Sequence, residues 1–150
     1  MSHRTRVRDL HHEPFEELTE FLLRVANLAP TADWRVSRLQ QFIDEHDGRI
    51  GCILDDVCRT LDLGVTSSHA SRLFRRALGL ETREYSKLKR LHAGATKLQT
   101  TSMSVKEIAA DLGYRVPADF FRQFKQLFQV TPLRFRTMTR VRSRVRKMSA

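Results

Sequence analysis

The sequence SVKEIAADLGYRVPADFFRQFKQLFQVTPLRFR, residues 104–136, contains the start and stop signals of two short helices. Ser104 and Glu107 have the Ser-x-x-Glu spacing of a capping box, which marks the beginning of the first helix. Gly113 suits the left-handed backbone that ends a helix, and Pro117 suits the first position of the next helix. An apolar face of that next helix comprises Phe120, Phe124, Leu127 and Phe128. Two short helices joined by a tight turn, the second with basic residues outside its apolar face, indicate a helix-turn-helix.

A second copy of this pattern lies about fifty residues earlier in the chain. The matching segments are 57–58 with 108–109 at an offset of 51, and 72–75 with 122–125 and 80–85 with 130–135 at an offset of 50. An internal repeat of this kind excludes a chance match to one motif. In the first repeat, Thr66 is the expected N-cap of the second helix. The expected buried face of that helix comprises Ala70, Leu73, Phe74, Ala77 and Leu78.

Further amphipathic helices are predicted before and between the repeats. Pro14 begins an N-terminal helix that ends at Pro30, and another helix runs from Trp34 to about His46. Between the repeats, residues 84–100 have apolar side chains at three- and four-residue steps, which predicts a long linker helix. The expected inward residues are Phe15, Leu18, Leu22, Val25 and Ala26 in the first helix, Leu39, Phe42 and Ile43 in the second, and Tyr85, Leu88, Leu91 (or His92), Ala95 and Leu98 in the linker.

The distribution of charge indicates a polyanionic partner. The chain has a net charge of +10. Residues 1–60 have 8 basic and 11 acidic side chains, whereas residues 61–150 have 19 basic and 6 acidic ones. A solubilising surface is the alternative, but it would hardly separate the charges in this way. Nucleic acid is the usual polyanion that such a field attracts.

The sequence contains no pattern typical of a metal site or an enzyme. Cys52 and Cys58 are too few for a disulfide scaffold or a four-ligand zinc site, and we interpret the adjacent His11 and His12 as a solvated pair. P-loop, His-Glu-x-x-His and Gly-x-Ser-x-Gly motifs are missing from the sequence. We therefore expect no catalytic residue, metal or cofactor. The lack of an apolar run of about eighteen residues and of a signal peptide predicts a cytoplasmic protein with no membrane span.

Together, the motifs in residues 104–136 resemble the second helix-turn-helix of the AraC/XylS family of bacterial transcription regulators. The family pattern has Ile-Ala, a glycine–aromatic pair, a basic-x-Phe-Lys core and a Pro-x-x-aromatic-Arg ending. The matching segments are Ile108-Ala109, Gly113-Tyr114, Arg122–Lys125 and Pro132–Arg136. The resemblance covers about residues 35–139. It implies an all-α fold of two homeodomain-like helix-turn-helix subdomains joined by a long linker helix.

We therefore predict about eight helices and no sheet. Residues 1–33 form an N-terminal arm and an extra amphipathic helix, residues 34–139 form the DNA-binding domain, and residues 140–150 form a flexible basic tail that contacts phosphates. Within the domain, the first helix-turn-helix spans about 50–80, the linker helix about 84–100 and the second helix-turn-helix about 104–130. The sixteen residues from Cys58 to Phe74 are about two more than the family pattern has. We place this extra length in the turn at Asp62-Leu63-Gly64.

The resemblance also implies which residues contact DNA. The candidates are Ser68, Ser71, Arg72 and Arg75 in the first repeat, Ala118, Asp119, Phe121, Arg122 and Lys125 in the second, and Arg134 and Arg136 after it. Arg72 and Arg122 are expected to hold guanine through two hydrogen bonds, whereas Ala118 and Phe121 offer apolar contact to thymine methyl groups. Asp119 either accepts a hydrogen bond from a cytosine amino group or complements the helix dipole.

Three functions are compatible with the sequence. The first is sequence-specific binding of promoter or operator DNA by a transcription regulator. The second is a fragment of a DNA-repair methyl-acceptor regulator, for which Cys52 and Cys58 are the only candidate acceptors. The third is a protein-interaction module that has lost DNA binding. Double-stranded DNA is the expected partner, and RNA polymerase and a homodimer through the N-terminal helix are further candidates. Residues 1–33 are too short for a sensor domain, so we expect a stand-alone regulator, a fragment or a paired subunit.

Overall fold

A computed structural model describes residues 14–27, 33–50 and 54–149, with only the backbone at Arg142. Within these residues the protein has eight α-helices and no strand, which confirms the predicted all-α fold. The helices are α1 (Pro14–Ala26), α2 (Trp34–Glu45), α3 (Leu54–Thr60), α4 (Ser67–Leu78), α5 (Thr82–Thr100), α6 (Val105–Asp111), α7 (Pro117–Phe128) and α8 (Pro132–Met148). The chain forms two compact units that divide between Arg90 and Leu91. The predicted N-terminal arm, His11, His12, Pro30 and Cys52 lie outside the described residues.

The two predicted repeats fold into matching structures, α3 with α4 and α6 with α7. The backbone hydrogen bonds that end α3 match those that end α6. The N–H groups donate to carbonyl oxygens in the pairs Leu61–Val57, Asp62–Arg59 and Leu63–Cys58 in the first repeat, and Leu112–Ile108, Gly113–Ala110 and Tyr114–Ala109 in the second. Asp62, with a φ of 51°, therefore occupies the left-handed position of Gly113, with a φ of 81°. The sequence analysis placed the extra length of the first turn, relative to the family pattern, at Asp62-Leu63-Gly64. Asp62 and Leu63 have equivalents in the second repeat, so the one residue by which the first turn exceeds the second lies in 64–66, where Gly64 has a φ of 65°.

Side-chain hydrogen bonds cap the starts of α6 and α4 at the residues that the sequence predicts. The backbone N–H of Glu107 donates to Ser104 Oγ at 3.2 Å, and the N–H of Ser104 donates to Glu107 Oε2 at 2.6 Å. Thr66 Oγ1 likewise accepts from the N–H of His69 at 3.3 Å, and Pro117 is the first residue of α7. These caps satisfy N–H groups that have no partner inside their helices.

One face of α4 and one face of α7 are buried at four-residue steps. The buried residues are Ala70, Phe74 and Leu78 in α4 and Phe120, Phe124 and Phe128 in α7. Leu73 and Leu127, at the edges of these faces, are half-buried. Ala77 is exposed, so its predicted burial was wrong. Ala77 and Leu127 are equivalent positions, and an alanine methyl is too short to reach the core from there.

In the first compact unit, α1 and α2 bury most of the predicted apolar faces. Leu18, Leu22 and Val25 of α1 are buried, but Phe15 is half-buried and Ala26, at the end of the helix, is exposed. Buried residues of α2 are Val36, Leu39 and Ile43. Phe42 is half-buried and stacks on His46, with ring centroids 4.1 Å apart. Gln40 Nε2 donates to the carbonyl oxygen of Val25 at 3.2 Å, which connects the two helices.

The linker helix α5 begins two residues earlier than predicted and buries the expected side chains. Tyr85 and Leu88 lie in the first compact unit, and Leu91, rather than His92, is buried in the second with Ala95 and Leu98. Tyr85 Oη donates to Asp44 Oδ1 at 2.7 Å, and Lys89 Nζ lies 3.2 Å from the same oxygen. Burial and the Asp44 carboxylate both raise the pKa of Tyr85. This cluster connects α5 to the end of α2.

The basic end of the chain is helical, so the prediction of a flexible tail over residues 140–150 was wrong within the described residues. Thr131 caps α8 by accepting from the N–H of Arg134, and Pro132 follows as its first residue. No glycine or proline then interrupts the helix, and arginine has a high helix propensity. The residues beyond Arg140 remain exposed to solvent where their side chains are described. Within the described stretches, no helix is long and apolar enough to cross a membrane.

We expect Gly48→Ala to destabilise the protein more than Gly79→Ala. Both glycines have a left-handed backbone, with φ values of 78° and 77°, which costs an alanine about 1–2 kcal/mol. A Cβ atom at Gly48 would also lie 2.1 Å from the carbonyl oxygen of Ser86, whereas a Cβ atom at Gly79 meets nothing within 4 Å. The overlap should add roughly 1–3 kcal/mol to the loss of unfolding free energy. Urea denaturation of both variants measures the difference, and equal losses would contradict the close contact of Gly48 with α5.

Candidate nucleic-acid interface

The exposed face of α4 presents most of the predicted residues of the first repeat. Ser68, Arg72 and Arg75 are exposed and Ser71 is half-buried, whereas Phe74 is buried. Arg75 Nη1 lies 3.4 Å from Glu81 Oε1, and both side chains are solvent-exposed. Arg72 forms no ion pair with any residue in the described ranges. Within the described ranges, the α4 surface therefore presents Arg72 unpaired with any carboxylate, on the same helix as the hydroxyl side chains of Ser68 and Ser71.

The exposed face of α7 forms an open groove with an apolar floor and basic edges. Its lining residues are Lys106, Pro117, Ala118, Phe121, Arg122, Lys125 and Thr131. Ala118, Arg122 and Lys125 are exposed, whereas Phe121 is half-buried, with its ring centroid 6.4 Å from that of Phe120. The structure therefore brings four of the five predicted residues of this repeat into one groove. Cations beside apolar groups can contact phosphates and base edges together.

Asp119, the fifth predicted residue of the second repeat, forms an ion pair on the same helix. Arg122 Nη2 donates to Asp119 Oδ1 at 2.7 Å. The Arg122 and Asp119 side chains are 63% and 44% exposed, so the pair faces solvent on α7. Asp119 also lies in the first turn of α7, where a carboxylate is stabilised by the helix dipole. Asp119 therefore both complements the helix dipole at the start of α7 and pairs with Arg122, the arginine expected to hold guanine.

Arg134 and Arg136 are adjacent on α8 but have different environments. Arg134 is exposed. Arg136 is only 9% exposed; its Nε donates to the carbonyl oxygen of Leu98 at 3.2 Å, and its Nη2 donates to that of Met103. The predicted DNA contact of Arg136 is therefore corrected, because its guanidinium is used to satisfy carbonyl groups at the end of α5 and before α6.

Lys106 is a groove residue that the sequence prediction missed. It lies in the first turn of α6, outside α7, and only the packing of α6 beside α7 brings it to the groove. At the equivalent position of the first repeat, Asp55 Oδ1 accepts a hydrogen bond from the N–H of Ser67 at 3.1 Å. Hydrogen bonding from Ser67 lowers the pKa of Asp55. The two repeats therefore have opposite charges at this position.

Cys58 lacks the surroundings of a reactive thiol. It is 4% exposed in α3, and burial, followed by the nearby Asp55 carboxylate, raises the pKa of its thiol. A raised pKa lowers the fraction of thiolate, which is the nucleophilic form. Among the residues that the structure describes, no three histidine, cysteine or acidic side chains are grouped so that they could hold a metal ion.

Comparison with known proteins identifies the same fold. A family model described as a helix-turn-helix domain, of the AraC/XylS type, matches residues 61–138, more than half of the chain. Regulatory protein SoxS of Salmonella typhimurium is 32% identical over 102 residues, which cover 67% of this chain and 92% of that protein. The C-terminal domain of AraT, a response regulator from Geobacillus stearothermophilus, is 27% identical with a TM-score of 0.64, covering 75% of this chain and 88% of that domain.

The two helix-turn-helix repeats, their family match and the similarity to SoxS show that the chain belongs to the AraC/XylS family of transcription regulators. Its relatives differ greatly in length. The matched residues cover 12% of the regulator YtdP of Bacillus subtilis and 65% of the transposon Tn10 TetD protein of Escherichia coli. The similarity to these two relatives therefore covers only part of their length.

We expect Arg136→Ala to lower the free energy of unfolding by roughly 1.5–3 kcal/mol, because a buried charged group donates to two backbone carbonyls. Arg134→Ala is the matched control, since the same residue type two positions earlier is exposed, and its effect should stay within about 0.5 kcal/mol. Denaturant unfolding followed by circular dichroism measures both. Similar stabilities of the two variants would show that the Arg136 contacts contribute little.

Proposed function

We propose that this protein binds promoter or operator DNA sequence-specifically and regulates transcription, with α4 and α7 entering the major groove. The observation that carries this proposal is the match between α4 and α7, the second helices of the two repeats, which we call the recognition helices. In both repeats a fully buried phenylalanine, Phe74 or Phe124, follows an exposed arginine, Arg72 or Arg122, by two positions. Because a helix that enters the major groove presents its exposed face to the base edges, the two arginines occupy matching places for contact with bases.

The exposed residues divide into two roles within this proposal. Arg72 and Arg122 hold guanine through O6 and N7, and Ala118 and Phe121 contact thymine methyl groups. Ser68 and Ser71 hydrogen-bond to bases without a strong preference. Five further exposed cations contact phosphates, which supply affinity and orientation but little sequence information. These phosphate-contacting residues are Arg75, Lys106, Lys125, Arg134 and Arg140.

The names of similar proteins support the regulatory part of this proposal. AarP of Providencia stuartii, 31% identical over 83 residues, is an HTH-type transcriptional activator. The DNA-binding domain of AdpA, a global transcriptional factor, has been solved in complex with a target DNA and has the same fold, with a TM-score of 0.61 at 21% identity. We extend DNA binding and transcription control to this chain, with a cytoplasmic location, where bacterial DNA lies. Contact with RNA polymerase and formation of a homodimer are further parts of the proposal.

The two alternative functions have weaker support. Methyl transfer to Cys58 would require an accessible thiolate, whereas this thiol is buried and its pKa is raised. A protein-interaction module using α1 would require a free apolar face, but Leu18, Leu22 and Val25 are buried within the first compact unit. Leu23, 56% exposed, is the large apolar residue that α1 leaves on its surface. A homodimer through α1 would therefore have to rely mainly on Leu23 and the half-buried Phe21.

We expect Arg72→Ala and Arg122→Ala each to reduce affinity for a specific site by roughly 1–3 kcal/mol, because each removes a bidentate contact with guanine. Binding to scrambled DNA should fall much less, since phosphate contacts elsewhere determine it. Arg134→Ala is the control and should weaken both complexes alike. The site is first selected from a random DNA pool with the wild-type protein, and gel-shift titrations then compare the variants. Equal losses on both DNAs would show that Arg72 and Arg122 position the protein and do not recognise bases.

Binding should also weaken steeply as salt increases. If about six phosphates are neutralised, the plot of log affinity against log salt should have a slope near −5, because each contact releases condensed counterions. Fluorescence anisotropy with a labelled duplex at several salt concentrations measures this slope. A slope indistinguishable from zero would contradict nucleic-acid binding altogether.

A further inference from the structure

The recognition helices of the two repeats differ in what lies next to their shared arginine. Asp119 precedes Arg122 by three residues in α7, whereas His69 precedes Arg72 by three residues in α4. Arg122 Nη2 donates to Asp119 Oδ1 at 2.7 Å. The imidazole at the corresponding place in α4 offers no carboxylate. Each helix thus presents an arginine on its exposed face, but among the residues that the structure describes only the arginine of α7 is paired with an acid.

This ion pair affects how Arg122 can bind DNA. A free arginine side chain loses considerable rotamer entropy when it is held in one geometry, and a neighbouring group that already restrains it reduces this cost. The pair joins one Nη2 N–H to one carboxylate oxygen, and a guanidinium has five N–H donors, so further donors are available to a base. The carboxylate also repels phosphate groups. Arg122 beside Asp119 is therefore better suited to the acceptors of a base edge than to the DNA backbone.

We propose that Asp119 is a positioning and specificity-determining residue that holds Arg122 towards guanine and discourages its contact with phosphates. This inference rests on the proposed DNA binding and deepens it. It makes the two repeats unequal: recognition of guanine by α7 depends on an acidic neighbour, whereas Arg72 in α4 acts without one and tolerates phosphates. Asp119 does not itself contact the base in this arrangement.

A matched ion pair elsewhere in the chain provides the control. Arg59 Nη2 pairs with Asp56 Oδ1 at the same three-residue spacing, and both side chains are exposed on α3. Asp56 is outside the recognition helices, so Asp56→Ala removes a similar acid without altering the α4 or α7 face. The other variants are Asp119→Ala, Asp119→Asn, Arg122→Ala and the double variant with Asp119→Ala and Arg122→Ala.

The experiment measures the affinity of each variant for three duplexes. One is the sequence selected by the wild-type protein from a random pool, the second is that sequence with 7-deazaguanine replacing guanine, which removes the N7 acceptor, and the third is a scrambled sequence. For Asp119→Ala we expect about two- to fivefold weaker binding to the selected duplex, the scale of an exposed ion pair. Binding to the scrambled duplex should be unchanged or tighter, because a negative charge near phosphates is removed.

Three further results should follow if Asp119 acts through Arg122. Asp119→Asn keeps an oxygen acceptor for the guanidinium and should recover part of the lost discrimination. The wild-type protein should bind the selected duplex more tightly than the 7-deazaguanine duplex, and this difference in affinity should be smaller for Asp119→Ala. In the Arg122→Ala background, Asp119→Ala should leave the ratio of selected to scrambled affinity unchanged. Asp56→Ala should leave this ratio at the wild-type value.

Several outcomes would overturn the inference. Tighter binding of Asp119→Ala to both duplexes by the same factor would mean that Asp119 merely competes with DNA. Equal weakening on both, with a lower melting temperature, would mean that it only stabilises the start of α7. An effect on discrimination that persists without Arg122 would exclude action through that residue. A wild-type protein that does not discriminate the selected from the scrambled duplex would contradict the proposed function as well, which separates the two failures.

Discussion

Burial of one aromatic pair in each repeat is the contact on which both recognition surfaces depend. Phe74 of α4 and Phe124 of α7 are each fully buried. The ring of Phe74 lies 5.6 Å from that of Tyr85, and the ring of Phe124 lies 5.4 Å from that of Phe135. These four residues are equivalent at an offset of 50. Because the pair fixes the rotation of each recognition helix about its axis, the arginine two residues before the phenylalanine must face solvent.

The position of α7 also depends on the close approach of Gly94 in α5 to Phe120. A Cβ atom at this position of α5 would lie 2.8 Å from Phe120 Cε2 and 3.0 Å from Leu112 Cδ1. A side chain larger than hydrogen would therefore displace the buried ring at the beginning of α7. Lys97 of the same helix lies 2.9 Å from Asp111 on α6. Packing against α5 thus positions α6 and α7 together, and with them the groove formed by Lys106, Arg122 and Lys125.

Sequence equivalence of the repeats extends to some exposed charges, such as Arg72 and Arg122, but not to all of them. Position 55 is an aspartate that binds the start of α4, whereas position 106 is a lysine at the α7 groove. Apolar and turn positions are kept alike because they must satisfy the same packing and backbone hydrogen bonds. Exposed positions have no such requirement, so each repeat can acquire its own preference for a DNA sequence. Two similar folds with different surfaces are well suited to contacting two different segments of one site.

The sequence by itself determined most of the helices, the caps at Thr66 and Ser104 and most of the buried apolar faces, because these features depend on local propensities, hydrogen bonds between near neighbours and helical periodicity. The capping box of Ser104 and Glu107 and the internal burial of Tyr85 are examples. The tertiary structure decided which arginine and lysine side chains are buried, which are exposed and which line the groove. Arg134 and Arg136 look alike in sequence, but only Arg136 lies against two carbonyl groups. Lys106 reached the groove in the same way, through packing of a neighbouring helix. The physical reason is that an arginine or lysine is compatible with either solvent or a buried partner, and only distant parts of the chain supply that partner.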